Sequence, residues 1–174
     1  MRSWMENGAI PFYSSEGSRE EVRMTDSSGL AHPLVQKVLA GELPIAQLLG
    51  FTIEKIGDGK AIGSLQPTPL HFNPMGTLAG SVVGDLADAA MGMAFASTLA
   101  PDESLTTMAL NVNFFRPVWQ SRLRAEARVV NRGKSVGYME CEVTDQDGKR
   151  IAKANCTCFV LRDAVLTDAT KRKR

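Results

Sequence analysis

Apolar residues change their period along the chain, and each change marks a new element. From His32 onward, Leu34, Val35, Val38 and Leu39, then Ile45, Leu48 and Leu49, follow helical spacing interrupted by Gly41 and Pro44, which predicts two short helices. Phe51 to Ile56 and Lys60 to Gln66 read as two strands joined by the hairpin signal Gly57-Asp58-Gly59 and closed off by Pro67 and Pro69. After a loop containing residues 71–76, the segment from about Gly80 to Leu99 is rich in Ala, Met, Val and Leu and ends at Pro101. It predicts one helix, apolar nearly all round and therefore buried nearly all round.

Four strand-like runs follow. Met108, Leu110, Val112 and Phe114 alternate with Asn111 and Asn113; Leu123, Ala125, Ala127 and Val129 alternate with Arg122, Arg124, Glu126 and Arg128. Ser135 to Thr144 puts Met139, Cys141 and Val143 on one face, and Asp147-Gly148 turns the chain into Ala152, Ala154, Cys156, Cys158 and Val160 at period two. The order predicts an α+β fold, a curved antiparallel sheet of about six strands against one long buried helix. One helix cannot cover such a sheet, and open edges are usually paired or blunted, so a homodimer is expected. Residues 1–30, mixed in Ser, Gly and Glu, read as a flexible extension with Met24 as an alternative start. Residues 31–163 form the domain and 164–174 a basic tail.

Composition narrows the function classes. A chain of 174 residues supports one domain with a real core. Twenty Lys and Arg against 19 Asp and Glu leave a net charge of +1, no general field for nucleic acid or an anionic membrane. The apolar stretch Gly80 to Ala100 carries Asp85 and Asp88 with several Gly and Ser, which fits a buried helix and not a membrane span. Three cysteines without a secretory signal predict reduced thiols and a cytoplasmic protein. Cys156 and Cys158 read as small inward core residues. The two histidines, His32 and His71, have no zinc-type spacing to them, so no metal is expected.

Gly80, Gly84, Asp88 and Gly92 recur every four residues and form a slowly drifting stripe on the long helix. Each helical glycine costs about 1 kcal/mol relative to alanine, so something packs or binds there. A carboxylate in such a helix must be hydrogen-bonded, paired or raised in pKa. Asp85, about 60° around the helix, competes for the role, but Asp88 lies on the stripe and is preferred.

The run His71-Phe72-Asn73-Pro74-Met75-Gly76-Thr77-Leu78-Ala79-Gly80-Ser81, leading into the helix that bears Asp88, resembles the active-site motif of hotdog-fold acyl-CoA thioesterases of the PaaI-like, phenylacetate-pathway branch. Asn73, Gly76, Gly80 and Asp88 fall on that family's positions, while Ala79 replaces its histidine and Ser81 its second glycine. The resemblance covers about residues 45–161. It implies a thioester hydrolase with Asp88 as general base or nucleophile, across a subunit interface from the Gly80 loop, and the Gly80 backbone N–H as oxyanion donor. Asn73 would orient water or substrate, and Thr107 stands where relatives carry a small hydroxyl near the acid.

His71 would chiefly position the loop, with Gly76 and Ser81 beside the substrate. The basic turn Arg132-Gly133-Lys134-Ser135 lies where such enzymes meet the phosphates of coenzyme A, with Arg116 a weaker candidate. The implied partners are an aryl- or medium-chain acyl-CoA and further copies of the chain, as a dimer or a dimer of dimers, with no cofactor, nucleic acid or membrane. The substitution of Ala79 keeps open a second reading, a non-catalytic module that binds acyl-CoA as sensor or scaffold.

Overall fold

The structure, a computed structural model, describes residues 29–162. The expected extension and tail therefore lie outside the described residues, apart from Gly29 and Leu30. These two open a 3₁₀ turn, Gly29–Ala31, in which Leu30 is buried. Two short helices follow, α1 (Pro33–Leu39) and α2 (Pro44–Leu49), each with proline in its first turn, where the missing N–H costs nothing. His32 is buried at the start of α1: its Nδ1 accepts the Leu34 N–H at 3.2 Å, and its Nε2 lies 3.0 Å from the Glu103 carbonyl.

Strands β1 (Phe51–Gly57) and β2 (Lys60–Leu65) form the expected hairpin, and Asp58 and Gly59 take φ of 50° and 69°. Two successive positive φ values give a type I′ turn, whose twist matches that of the strands it joins. Helix α3 (Gly80–Ala96) comes next, then β3 (Glu103–Phe114), β4 (Leu123–Arg132), β5 (Val136–Asp145) and β6 (Arg150–Arg162). All neighbours pair antiparallel in the order β1-β2-β4-β5-β6-β3. The sheet wraps α3, the architecture the sequence predicts.

The core lies between helix and sheet: Leu86, Met91 and Phe95 meet Ile56, Leu65, Leu123 and Met139, all fully buried. Phe95 rests directly over Gly137, where any Cβ would run into its ring. The helix ends sooner than expected because Ser97 closes it, donating to the Ala94 carbonyl at 2.7 Å and accepting the Gly59 N–H at 3.0 Å. Cys156 and Cys158 point inward as expected and are free thiols.

Two expectations need correction. Helix α3 is not buried all round: Ser81 and Asp85 are exposed, and Gly84, Asp88 and Gly92 are only half-buried, so the glycine stripe is an open face. The helix-facing set of β3 also differs. The β3–β6 ladder pairs Thr107 with Cys158 and Leu110 with Cys156 but skips Met108, a bulge that shifts the alternation by one. Thr107 therefore joins Leu110, Val112 and Phe114 on the helix side, and Met108 is 62% exposed. The outer face of the sheet is an alternating charge lattice, with Arg128 and Lys153 on Glu140, Arg150 on Glu142, and Arg122 and Arg124 on Glu54.

Candidate active site

The loop before α3 is held by its own polar groups. The Asn73 side-chain oxygen accepts the Met75 and Thr77 N–H groups at 2.9 and 3.3 Å, and its amide donates to the Thr77 hydroxyl at 2.9 Å. Gly76 completes this turn at φ 77°, a conformation that suits glycine. His71 braces the loop from behind: Nδ1 accepts the Thr68 N–H at 3.1 Å and its carbonyl accepts the Ala79 N–H at 2.9 Å. Burial lowers the pKa of His71, so its ring favours the neutral form. Asn73, Gly76 and His71 thus build the loop whose end is Gly80.

Ala79 is the N-cap of α3, and it offers no side-chain acceptor to the N–H groups of the first turn. An uncapped helix start presents donors to negative charge that develops nearby. The Phe114 ring lies over Gly80, and a Cβ there would sit 3.0 Å from it, so a larger residue at this position would have to displace the ring. Phe114, Asn73, Leu78, Gly80 and Arg116 line an open groove of about 420 Å³. Phe114 was not singled out in the sequence for this role, and only the glycine at the helix start signals that something approaches so closely.

Asp88 sits two turns further on. Thr107 Oγ1 donates to its Oδ1 at 3.3 Å. Burial raises the carboxyl pKa, the Thr107 bond pulls it back down, and the nearby Asp85 charge raises it again, for a net upward shift. Asp85 is exposed and lies off this contact. Eight residues of helix separate Gly80 from Asp88, about 12 Å of axial rise. One thioester carbonyl cannot reach both groups of the same helix.

The basic turn is elsewhere. Arg132 pairs with Glu103 at 2.7 Å and its guanidinium stacks 5.3 Å over the Phe95 ring, at the far end of α3 from Gly80. Arg162 makes a second ion pair to Glu103 at 3.1 Å, and the Ser135 carbonyl accepts the Val160 N–H at 2.8 Å. Lys134 is exposed and has no ion pair among the described residues. Some 22 Å of helix lies between this turn and the groove within one chain. Of the cations weighed in the sequence, the groove brings in Arg116 alone.

Among the described residues no three His, Cys, Asp or Glu side chains gather as a metal site, and no helix is long and apolar enough to cross a membrane. Comparison with known proteins adds the family. The model of the Thioesterase superfamily matches residues 75–152. The chain is 28% identical over 116 residues to a 1,4-dihydroxy-2-naphthoyl-CoA hydrolase of Listeria monocytogenes, covering 67% of this chain and 94% of that protein. It is 32% identical over 121 residues to a protein of Saccharolobus solfataricus named as an esterase, covering 70% and 86%. The solved structure of a phenylacetic acid degradation-related protein from Ralstonia eutropha JMP134 superposes with a TM-score of 0.65 at 32% identity, covering 71% of this chain and 97% of that one. Identity of this order along nearly the whole of a relative goes beyond shared architecture, and the chain belongs to the thioesterase superfamily, as a thioester hydrolase of the hotdog fold.

Proposed function

We propose that the protein hydrolyses an aryl- or medium-chain acyl-CoA to the free acid and CoA, using Asp88 of one subunit and the Gly80 N–H of another. The observation that carries this is the Asp88 carboxylate, half-buried on an open, glycine-striped helix face and held by Thr107. As general base, Asp88 takes a proton from water while the water oxygen bonds to the carbonyl carbon. The resulting oxyanion accepts from the Gly80 N–H at the uncapped helix start. Collapse breaks the C–S bond, and the leaving thiolate recovers the proton. As nucleophile, Asp88 would instead form an anhydride that water opens.

The 12 Å between Gly80 and Asp88 within one helix supports a site assembled from two copies. Two features of the chain favour that assembly: β3 is a 12-residue edge strand with little burial, and among the described residues a Cβ added at Gly84 would meet only Val112, at 4.0 Å, and one added at Gly92 nothing within that distance. An aromatic acyl group suits the Phe114 groove, and the naphthoyl-CoA name of the Listeria relative points the same way. Arg116 at the groove and the exposed Lys134 are the cations offered to the CoA phosphates, with Ser135 beside the latter. Arg132 is favoured as a structural group because Glu103 already holds it. Three unpaired buried thiols fit a reducing cytoplasm.

Release of free CoA thiol from a panel of aryl- and alkyl-CoA thioesters tests the reading. Asp88→Asn is expected to lower turnover by about 10²- to 10⁴-fold while CoA-thioester binding persists. Undiminished turnover in that variant would remove Asp88 from the chemistry.

A further inference from the structure

The buried side of the Thr107–Asp88 contact holds a further pair of groups. Thr107 stands opposite Cys158 in the β3–β6 ladder, and its Oγ1 lies 3.7 Å from Cys158 Sγ. Cys158 Sγ in turn lies 4.0 Å from Cys156 Sγ. Cys158 is fully buried, whereas Thr107 stands on an exposed edge strand where, among the described residues, its hydroxyl bonds only to Asp88 and Cys158.

A threonine hydroxyl has one proton and two lone pairs, a carboxylate only accepts, and a thiol can donate. Once the Thr107 proton is directed at Asp88, its oxygen is left as an acceptor, and the group positioned to fill it is the Cys158 S–H. We propose that Cys158 is a positioning residue for the hydrolase, its thiol proton holding the Thr107 hydroxyl in the orientation that donates to Asp88. The inference rests on the reading of Asp88 as the reactive carboxylate. The protons then run one way, from Cys156 to Cys158, from Cys158 to Thr107 and from Thr107 to Asp88, and each bond polarises the next.

The bulge at Met108 is what makes the chain continuous. Without it Thr107 would fall on the outer face with Asn111 and Asn113, away from both β6 thiols. The titratable group that acts on Asp88 is Asp85 from its own helix, and the Asp88 charge acts in turn on the two thiols of β6. β5 adds the deeper Cys141 thiol, which burial pushes up to about 12. Within the β6 pair, their mutual bond pushes Cys156 up and draws Cys158 down; burial and the Asp88 charge raise both, the Thr107 bond lowers Cys158 further, and Cys158 ends below the ordinary thiol value. The Asp88 charge acts against that lowering at Cys158, and the case for the thiol as donor rests on the 3.7 Å contact to Thr107.

The test follows the Asp88 carboxyl by ¹³C NMR titration, assigned with Asp88→Asn, beside the pH profile of kcat/KM for a CoA thioester. Cys158→Ala is expected to move the titration and the acid limb upward together by about half a pH unit, with KM changed less than kcat. Cys158→Ser, which restores an O–H donor, returns both toward wild type. In a Thr107→Val background the same alanine change adds no further shift. Cys158→Val keeps the volume without a donor and replaces the alanine variant if that variant unfolds. Coincident titrations of wild type and Cys158→Ala, or an equal shift in the Thr107→Val background, overturn the proposal. If no thioester is turned over, the hydrolase reading of Asp88 falls on its own, and the carboxyl titration still decides whether Cys158 acts on Asp88 through Thr107.

Discussion

The Thr107 hydroxyl donates to Asp88 Oδ1 over 3.3 Å, from a strand position that a plain period-two count assigns to the opposite face of the sheet. A one-residue bulge makes the contact possible, and the contact tempers the electrostatics that burial imposes on the carboxyl. Burial raises the Asp88 pKa, Thr107 opposes the rise and Asp85 adds to it.

The pH dependence of turnover follows in sign. In the proposed mechanism the active form is the carboxylate, so kcat/KM should fall as pH drops through the Asp88 pKa, which lies above the ordinary 3.8. Removing the lowering bond in Thr107→Val should push the acid limb higher by about half to one pH unit, the worth of one net hydrogen bond. Asp85→Asn removes a like charge and should move the limb the other way. An acid limb in Thr107→Val that coincides with wild type would mean the bond does not act on the reacting group.

Subunit mixing tests the shared site. Gly80→Val pushes a side chain into the Phe114 ring at the proposed oxyanion end, and Asp88→Asn removes the proposed base, so each variant alone should be nearly inactive. If the two groups come from different copies, a mixed dimer contains one intact site. An equimolar mixture after exchange should regain about a quarter of wild-type turnover, half the dimers being mixed with one of two sites intact. A mixture no more active than its parts, with exchange verified, would show that both groups work within one chain.

Gly137 should tolerate no side chain. Any Cβ there enters the ring of Phe95, which is fully buried and has no room to retreat. Gly137→Ala should lower stability by about 1–3 kcal/mol through overpacking, read as a lower denaturant midpoint at unchanged slope. An unchanged midpoint would place slack around Phe95 that its packing does not show.

Glu103 is the anchor of the basic turn. Burial pushes its carboxyl up, but the Ala100 N–H and the Arg132 and Arg162 guanidiniums outweigh it, so its pKa ends below the ordinary 4.5. A carboxyl lowered on folding adds stability above its unfolded pKa, and that stability is lost as pH falls through the folded value. Glu103→Ala should therefore destabilise by about 2 kcal/mol at neutral pH, the difference shrinking below pH 4.5. The effect on KM for acyl-CoA should be smaller than the effect on Tm. A large KM rise without destabilisation would restore Arg132 as a phosphate ligand.

Local pattern alone determined much of this protein. The Asp58-Gly59 turn, the apolar run of α3, the inward thiols of β6 and the stripe of Gly80, Gly84, Asp88 and Gly92 are all readable, because side-chain period and turn chemistry act over a few residues. The run from Asn73 to Gly80 stood out instead by its resemblance to the thioesterase motif, and its hydrogen bonds close within a single loop. Tertiary structure decided the rest. An inserted residue such as Met108 leaves no mark in an alternating pattern, yet it turned Thr107 toward Asp88 and Cys158. The partner of Arg132 lies 29 residues away at Glu103, and the ring over Gly80 comes from the far end of β3. Such contacts join residues distant along the chain and are selected by how the whole sheet closes on one helix, which no short window of sequence contains.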